Sequence, residues 1–459
     1  MTVPTLLITA PETGAGKTTV SLALTLALRA RGLRVQPFKV GPDYLDASLL
    51  SWAAARPCRN LDAWMLPAPS LLELFHRGCR GADVAVVEGV MGLFDGRSGE
   101  TDEASTAHVS RLLDAPLVLV LDADRSARTV GAVALGLGTL DRRLRVAGAV
   151  LNRVAGPGHL EACRAGLRSA GIRALGHVPA APGVRIPGRY LGLVSAAEAR
   201  PSPKVRRALG AAAAALDLDA LLALARPATT PPEAPVLFPV RRHRPRTALA
   251  VAMDVAFQFY YRDSLDLLEA WGAELMPFSP LTDPALPAGA GGIYLGGGYP
   301  ELYAAELAAN EQMLRSLRTA VRRGALVYAE CGGAMYAGGG IEDAEGRRHR
   351  LAGLWPGWTT LRRPQLRIGY REVRTGPASF LHPLAVRAHE FHCSRERGGR
   401  GGAPAWEVLD QPGRLEGWAS ERVLASYVHL HLGAHPSLAE RFVTACAPST
   451  SSLNRPPAG

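Results

Sequence analysis

The sequence predicts a two-domain α/β protein, and three observations lead to that prediction. Short apolar segments alternate with longer segments of helical periodicity, a proline- and arginine-rich stretch over residues 226–247 interrupts this pattern, and the pattern then resumes. Strands that alternate with helices favour a parallel, doubly wound sheet. We therefore expect domains at 1–225 and 248–446, joined by a linker at 226–247. The small, polar and proline-rich end, 447–459, is expected to be a disordered tail.

The composition is that of a globular protein. Of the 459 residues, 47% are apolar, which is enough for a large core. No apolar run approaches the ~20 residues that a membrane-spanning helix needs. The start, "MTVPTLLITAPETG", lacks the basic and long apolar segments of a signal peptide. We expect a cytoplasmic protein with no membrane partner.

The charge points to anionic partners. A net charge of +11 suits nucleotides or a polycarboxylate substrate. The alternative is a bias toward arginine codons, because only three lysines occur. Basic residues do not interleave with aromatic ones, so nucleic acid is not expected. The six cysteines are scattered without a CxxC pair, which argues against zinc, a redox site and disulfides.

The first domain begins with a strand, a glycine-rich loop and a helix. "TLLITA" is the strand, and "TTVSLALTLALRARG" is the helix, which ends at Gly32. Further strands are predicted in "LRVQPFKVGP", "ADVAVVEGV", "APLVLVLDAD" and "VAGAVLNRV", at intervals long enough for crossover helices. This order predicts the parallel sheet of the first domain.

The loop "APETGAGKTTV" predicts a phosphate-binding site. Its candidate ATP-binding residues are Gly14, Gly16, Lys17, Thr18 and Thr19. Backbone amides at the helix start would cradle phosphates, Lys17 would reach the β- and γ-phosphates, and the Thr18 hydroxyl would bind Mg²⁺. Pro11 stands where the strict pattern has glycine, so the match is to a variant loop. The alternative is a glycine-rich turn with a solvated lysine.

Charged residues and one tyrosine follow two other strands of this sheet. They are Lys39, Asp43, Tyr44 and Asp46 in "FKVGPDYLDASLL", and Glu88 and Asp95 in "VVEGVMGLFDG". Ligands bind beyond the carboxyl ends of parallel strands, so these residues should converge on the phosphate loop. Asp43 and Glu88, with Thr18, are the candidate Mg²⁺ ligands.

The other members of this group, Lys39, Tyr44, Asp46 and Asp95, are assigned to the region of the substrate or the transferred phosphoryl group. For Asp46 and Asp95 the alternative is a helix cap or a turn, because "DAS" and "FDG" are typical of both.

The second domain repeats the α/β pattern and contains a candidate nucleophile. "ALAVAMD", "SLDLLEAWG", "AELMPFSP" and "GGIYLGGG" lead to "GALVYAECGG". A strand, then Cys331, then two glycines predict a sharp elbow that exposes the thiol. The Gly332 amide and the loop of Gly297 and Gly298 would form an oxyanion hole. A cysteine at a helix start beside a histidine is expected to have a lowered pKa, and the alternative is a buried structural cysteine.

Several long blocks resemble one known family. They are "KVGPDYLD", "CRNLDAWM", "EGVMGLFDG", "LNRV" and "LGLV" in the first domain, and "YLGGGYPELYAAELAAN" and "ASYVHLHLG" in the second. The chain resembles the amidotransferases that make a,c-diamides of cobyrinic or hydrogenobyrinic acid. The resemblance implies an ATPase domain similar to dethiobiotin synthetase and a second domain similar to class I glutaminases.

The resemblance also implies site residues in the second domain. His429 matches the catalytic base, and His431 lies two residues further on, where many class I glutaminases have an orienting glutamate. A cysteine–histidine dyad is therefore expected. His382, His389 and His392 are too irregularly spaced for a metal site, and "HEFH" resembles a segment near the substrate.

The reaction implied by the resemblance joins both domains. ATP with Mg²⁺ would convert a carboxylate of a corrinoid polycarboxylate into an acyl phosphate, and Cys331 would release ammonia from L-glutamine. Two sequential amidations, at the c and a side chains, would follow. A homodimer is compatible with the family.

Four alternatives stay open at this point. Cobyric acid synthase shares the architecture, although the "GPDYLD" and "RNLD" blocks argue against it, and the nickel-sirohydrochlorin a,c-diamide synthase is not separated by these motifs. A switch ATPase that performs no synthesis would need only the phosphate loop. A glutaminase-like domain that only binds is disfavoured by the presence of Cys331 and His429.

Overall fold

A computed structural model of the chain describes residues 3–180, 188–189, 192–193, 202–398 and 402–447. The chain divides into two compact units, Met1–Ala234 and Pro235–Gly459. The expected tail lies almost wholly outside the described residues, as do the side chains of the "LGLV" block. Within the described ranges, no helix has the length and apolar character needed to cross a membrane.

The first unit contains ten strands and eight helices within the described residues. Its strands are β1 (Pro4–Thr9), β2 (Val35–Val40), β3 (Arg59–Leu61), β4 (Val84–Glu88), β5 (Leu117–Asp122), β6 (Val146–Val154), β7 (Ala174–Pro179), β8 (Gly188–Arg189), β9 (Gly192–Leu193) and β10 (Arg226–Pro227). Its helices are α1 (Lys17–Ala30), α2 (Tyr44–Ala54), α3 (Ala68–Gly78), α4 (Thr106–Leu113), α5 (Val130–Leu140), α6 (Pro157–Ser169), α7 (Pro203–Ala214) and α8 (Leu218–Leu224).

The sheet of the first unit is parallel and covered on both faces. Its strand order is β3-β2-β4-β1-β5-β6-β7, and only β10 pairs antiparallel, with β1. Alternate residues of β5 point to opposite faces: Val118 and Val120 pack with α1, α2 and α7, whereas Leu119 and Leu121 pack with α5 and α6. The predicted doubly wound fold is confirmed.

The second unit contains seventeen strands and five α-helices within the described residues. Its strands are β11 (Thr247–Ala252), β12 (Phe257–Phe259), β13 (Ala273–Phe278), β14 (Ala290–Leu295), β15 (Gly297–Gly298), β16 (Leu326–Glu330), β17 (Gly340–Glu342), β18 (Arg348–Arg350), β19 (Trp358–Thr360), β20 (Arg367–Thr375), β21 (Ala385–His392), β22 (Arg395–Arg397), β23 (Trp406–Val408), β24 (Leu415–Glu416), β25 (Trp418–Ala419), β26 (Val423–Ser426) and β27 (Val428–His429). Its helices are α9 (Arg262–Ala270), α10 (Ala304–Ala309), α11 (Glu311–Arg322), α12 (Gly332–Ala337) and α13 (Leu438–Cys446), with 3₁₀ helices at Pro300–Tyr303 and Leu432–Ala434.

Two sheets of the second unit meet at the candidate nucleophile. The larger sheet has the order β13-β11-β14-β16-β26-β25 and is parallel except for β25. Cys331 follows β16, which pairs in parallel with β26. The chain then leaves this sheet as β27 and joins a second, antiparallel sheet, β24-β23-β20-β21-β27. Because β16 and β26 end at the same edge, Cys331 and His429 are delivered to one place.

The antiparallel sheet was not predicted. Its strands β20 and β21 pair over eight positions, from Arg367↔His392 to Arg374↔Ala385. Their sequences, "RIGYREVRT" and "AVRAHEFH", carry many charged side chains and little strict apolar alternation, so the strand signal in the sequence is weak. This sheet places the "HEFH" block beside β27.

Candidate active sites

The phosphate loop of the first unit has the backbone that its glycines allow. Gly14 and Gly16 have φ of +88° and +105°, and Gly16 immediately precedes α1. A Cβ on Gly16 would lie 2.0 Å from the Asn152 amide nitrogen, so the position also needs glycine for space. Thr18 and Thr19 follow in the first turn of α1, both half-buried.

Lys17 is folded into the loop region. Its ammonium donates to the Glu12 carbonyl at 2.9 Å and to the Met91 carbonyl. Burial, helped by the charge of Lys39, lowers the pKa of Lys17 to about 8. Asp95 accepts from the Gly92 amide at 2.9 Å, so it forms a turn, as one of its two sequence interpretations expected.

Lys39 is the centre of a buried acidic cluster. Its ammonium contacts Asp46 Oδ2 at 2.7 Å, Glu88 Oε1 at 2.8 Å and the Gly89 carbonyl at 3.0 Å. Thr18 Oγ1 donates to the same Glu88 oxygen at 3.0 Å. The structure therefore brings residues of β2, β4, α1 and α2 to one edge of the sheet.

The capping interpretation of Asp46 is wrong. Asp43 caps α2 instead, since its Oδ1 accepts from the amides of Leu45 and Asp46 at 2.9 Å. Asp46 lies in the first turn of the helix, where it faces Lys39. Tyr44 begins the helix and is half-buried.

The carboxyl groups of this cluster have unequal proton affinities. Burial, together with the charge of Asp46, raises the pKa of Asp43 to about 7, and burial also raises the pKa of Glu88. Burial opposes ionisation of Asp46 as well, but the charge and hydrogen bond of Lys39 outweigh it and lower the pKa of Asp46. Burial opposes the charge of Lys39, but the charges of Asp46 and Glu88 outweigh it and raise the pKa of Lys39 above its usual value.

Glu88 fits a magnesium ion that arrives with ATP. Its Oε2 is buried and has no hydrogen-bond partner, which is costly unless a ligand uses it. No group of three or more His, Cys, Asp or Glu side chains among the described residues is arranged to hold a metal alone. Mg²⁺ in phosphate sites takes one or two carboxylates and completes its shell with phosphate oxygens and water, so the donor set is suitable.

Two residues of strand β6 hold the phosphate loop through hydrogen bonds to its carbonyl oxygens. Asn152 donates to the Ala15 carbonyl at 2.8 Å, and Arg153 donates to the Gly14 carbonyl at 2.7 Å. Arg153 has a φ of +58°, a strained conformation for a non-glycine residue. Neither residue was given a role from the sequence, although both belong to the "LNRV" block and lie at the carboxyl end of a strand.

Cys331 lies on a strained elbow in the second unit. Its φ and ψ are +48° and −106°, and its amide donates to the Ser426 carbonyl at 2.7 Å. Such a conformation persists only where the surrounding structure holds it, and it is frequent at functional sites. Gly333 permits the turn, because a Cβ there would lie 2.0 Å from the Leu295 carbonyl.

The three proposed oxyanion glycines lie close to one another, and Gly297 lies close to His429. A Cβ on Gly332 would lie 3.0 Å from the Gly298 nitrogen and 2.9 Å from its carbonyl oxygen. A Cβ on Gly297 would lie 2.7 Å from His429 Cε1. The glycine loop therefore touches both the cysteine elbow and the histidine.

His431 is occupied elsewhere. Its Nδ1 accepts from the Gly433 amide at 3.0 Å, and its ring packs at 4.7 Å against Tyr261. His429, by contrast, stacks on His389 with ring centroids 4.7 Å apart and planes 5° apart. The geometry favours His429 as the base.

The "HEFH" block contacts both Cys331 and His429, which the sequence did not predict. The Cys331 thiol donates to the Phe391 carbonyl, with Sγ and O 3.9 Å apart. His392 stacks on Tyr427 at 4.0 Å, and His389 is the partner of His429. His382 lies apart from these groups, beside Thr375. The only sequence signal for this position was the resemblance of the block to a family segment near the substrate.

The expected lowering of the Cys331 pKa is wrong. Burial, with the nearby charge of Glu301, raises the pKa of the thiol well above its usual range. Burial also lowers the pKa of His429 to about 3. The resting pair is therefore a neutral thiol and a neutral imidazole, because the site excludes the water that would stabilise separated charges.

Glu330 connects the strands that carry the two residues. Its Oε1 accepts from the Tyr328 hydroxyl at 2.6 Å and from the Leu430 amide at 2.9 Å, and its Oε2 accepts from the Tyr294 hydroxyl at 2.9 Å. Glu330 precedes Cys331, and Leu430 follows His429, so one carboxyl group spans both backbones. Burial raises the pKa of Glu330 to about 7.

Comparison with known proteins covers both units. Residues 6–193 match the family model of the CobQ/CobB/MinD/ParA nucleotide binding domain, and residues 248–437 match that of the CobB/CobQ-like glutamine amidotransferase domain. Together these models span most of the chain.

Curated relatives match along nearly their whole length. The chain is 40% identical over 455 residues to the cobyrinate a,c-diamide synthase of Dehalococcoides mccartyi, covering 96% of this chain and 98% of the relative. It is 41% identical to the protein of the same name from Gloeobacter violaceus, covering 96% of each. It is 40% identical to the hydrogenobyrinate a,c-diamide synthase of Streptomyces coelicolor, covering 97% and 98%.

Proposed function

The chain belongs to the family of cobyrinate and hydrogenobyrinate a,c-diamide synthases, and from this premise we propose how its two sites divide the reaction. It is a ligase of cobalamin biosynthesis that amidates a corrin precursor with ATP and glutamine. The relatives do not favour cobyric acid synthase, the nickel-sirohydrochlorin enzyme or a switch ATPase.

The first unit activates the carboxylate. Gly14, Gly16 and the first turn of α1 with Thr18 and Thr19 hold the phosphates of ATP, and Lys17 leaves the Met91 carbonyl to contact them. A carboxylate oxygen of the substrate attacks the γ-phosphorus, the bond to the β-phosphate oxygen breaks, and ADP leaves. The acyl phosphate that results carries a good leaving group.

Three residues are assigned to the magnesium ion, Thr18, Asp43 and Glu88. Asp43 Oδ1 also accepts two backbone amides, which fix the position of this carboxyl group. Magnesium bound there would neutralise charge on the phosphates. Lys39, Asp46 and Tyr44 are assigned to the region of the substrate or the transferred phosphoryl group, where Lys39 and Asp46 form an ion pair. Asp95 shapes the loop that holds Lys17.

The second unit releases ammonia from glutamine. As Cys331 Sγ attacks the side-chain carbonyl carbon, His429 takes the thiol proton, so no free thiolate is needed beforehand. The oxyanion forms beside the amides of Gly332 and the Gly297–Gly298 loop. His429 returns the proton to the leaving nitrogen, and ammonia departs from a thioester that water then hydrolyses.

Ammonia completes the reaction at the first site. It attacks the carbonyl carbon of the acyl phosphate, loses a proton, and expels phosphate to leave the amide. Two such cycles on one ring produce the a,c-diamide. The basic net charge of +11 suits a substrate with many peripheral carboxylates.

The observation that carries this assignment is the meeting of Cys331, the glycine loop and His429 at one sheet edge. The test is to incubate the protein with Mg-ATP, glutamine and either cobyrinic or hydrogenobyrinic acid, and to count the amides by mass spectrometry. Cys331→Ala is run beside it with glutamine or an ammonium salt. Cys446→Ala, which removes another buried thiol of the second unit, is the matched control.

Two amides on one ring, with Cys331→Ala active on ammonium alone, would support both assignments and identify the ring. Glutamine use by Cys331→Ala equal to that of Cys446→Ala would refute the nucleophile. Failure to amidate either ring, with ATP hydrolysis intact, would refute the substrate.

A further inference from the structure

We propose that His389 is a positioning residue of the glutamine site and that it holds the His429 imidazole through the face of its ring. The inference rests on the proposed function, because it concerns His429 in its role as the catalytic base. His389 occupies the role that an orienting carboxylate has in other cysteine–histidine sites, but it acts by stacking instead of by hydrogen bonding.

The register of two strands produces this pair. His389 on β21 and His429 on β27 are direct cross-strand partners in an antiparallel pairing. Their rings lie 5° from parallel with centroids 4.7 Å apart. The exposed fractions of the two residues are only 3% and 1%, so both rings are closely packed. A cross-strand pair at this distance restricts the side chains of both residues.

His389 is itself held from a third element. Its Nε2 lies 2.6 Å from the hydroxyl oxygen of Tyr261, which is 2% exposed and immediately precedes α9. The first turn of this helix also contacts the segment after β27, because Ser264 Oγ accepts from the Leu432 amide at 3.0 Å. The start of α9 therefore fixes His389 and the chain beyond His429 together.

His431 stands where many class I glutaminases have the glutamate that orients the histidine. Its Nδ1 accepts from the Gly433 amide and its ring packs on Tyr261, so it does not take over that role. A base on a short strand still needs its ring plane fixed, since misorientation of a catalytic group lowers the rate steeply. The stack on His389 supplies that restraint.

The neutral ring of His389 also suits the proton transfers that His429 carries out. His429 becomes an imidazolium when it takes the Cys331 proton, and the face of a neutral aromatic ring attracts a cation. Burial lowers the pKa of His389 well below its usual value, so this ring stays neutral when His429 is charged. Two charged imidazoles in one stack would repel each other.

The test compares His389→Leu with His389→Phe. We expect His389→Leu, which keeps bulk but removes the ring, to lose at least tenfold in kcat for glutamine-dependent amidation, with KM for glutamine within about twofold of the wild type. His389→Phe keeps a flat ring and should retain a third or more of kcat. Both variants should keep the wild-type rate with ammonium.

Two results would overturn the proposal: a wild-type kcat for His389→Leu, or a loss in His389→Phe as large as that in His389→Leu. If His389→Leu also loses ammonium-dependent activity, its fold is disturbed and His389→Phe alone decides. Retention of a third or more of kcat then supports the proposal, and a tenfold loss overturns it. Cys331→Ala distinguishes a failure of the glutaminase assignment from a failure of the His389 proposal. If it still uses glutamine, the glutaminase assignment fails and this proposal with it; if it does not, a normal His389→Leu overturns this proposal alone.

Discussion

Cys331 combines a strained backbone with a thiol that resists ionisation. Its φ is +48° and it is buried, at an elbow where the Gly298 and Leu295 backbones closely approach the next two residues, Gly332 and Gly333. Activation must then come from proton transfer during attack, because a thiolate formed in advance would be desolvated and unstabilised.

The protonation state of Cys331 can be tested by alkylation. Because burial raises the pKa of the thiol, the rate of reaction with iodoacetamide in the absence of glutamine should increase continuously up to about pH 9. Mass spectrometry of the modified peptide, with Cys331→Ala as the blank, measures this rate. A plateau reached by about pH 7 would show a preformed thiolate and contradict the neutral pair.

At the scale of elements, the phosphate loop depends on strand β6. Gly14 and Gly16 both have positive φ, but only Gly16 lies against Asn152, whose amide donates to the Ala15 carbonyl. The loop is thus held by a neighbouring strand as well as by its own turn.

This support predicts a difference between two alanine variants. Gly14→Ala and Gly16→Ala both incur strain from positive φ, about 1–2 kcal/mol. Gly16→Ala must in addition displace Asn152, which costs roughly 1–3 kcal/mol more. Thermal unfolding of the first unit without nucleotide should therefore begin at a lower temperature for Gly16→Ala. Equal melting temperatures would mean that β6 does not support the loop.

Strand β16 carries a second testable feature, the buried Glu330. The folded state raises the pKa of this carboxyl from 4.5 to about 7, so it binds the proton more tightly than the unfolded chain does. Its contribution to stability is therefore fully present below pH 4.5 and is lost as the pH rises through 7.

Glu330→Gln should remove this pH dependence. Relative to wild type, the variant's free energy of unfolding should increase by on the order of 3 kcal/mol between pH 4.5 and pH 8. Urea unfolding of the second unit at several pH values measures the difference. The matched control is Glu407→Gln on the exposed face of β23. A difference from wild type that does not change with pH would mean that Glu330 is not protonated near neutral pH.

At the scale of the whole molecule, substitutions in the two units should reduce amide formation in different ways. Glu88→Gln removes the charge assigned to magnesium, so amide formation should fall at least tenfold with glutamine and with ammonium alike. Cys331→Ala should fail with glutamine only. Amide counts by mass spectrometry, with both nitrogen donors in parallel, check this pattern. A Glu88→Gln variant that is rescued by ammonium would contradict the division of labour.

Much of this arrangement could be predicted from local sequence. Lys17, Thr18, Asp43 and Glu88 follow strands of one parallel sheet, and parallel strands end at one edge whatever their order. The elbow at Cys331 was predictable for a similar reason, because a strand followed by cysteine and two glycines has few backbone solutions. These inferences need only the local pattern and the periodicity of the chain.

Other parts of the site depended on contacts between distant segments. That Asn152 closes on Gly16 and that β21 brings His389 to His429 follow from packing and register. A strand as polar as "AVRAHEFH" has no periodic signal that would place its histidines on a particular face.

By itself, the sequence determined the two chemistries, a phosphate site in the first unit and a cysteine site in the second, because each depends on residue types at fixed local spacing. Only the tertiary structure decided the state in which those groups work. Whether Cys331 holds its proton depends on how completely other atoms exclude water from it, and which ring stacks on His429 depends on the register of β21 and β27. Desolvation is a property of the packed surroundings, and no stretch of sequence specifies it alone.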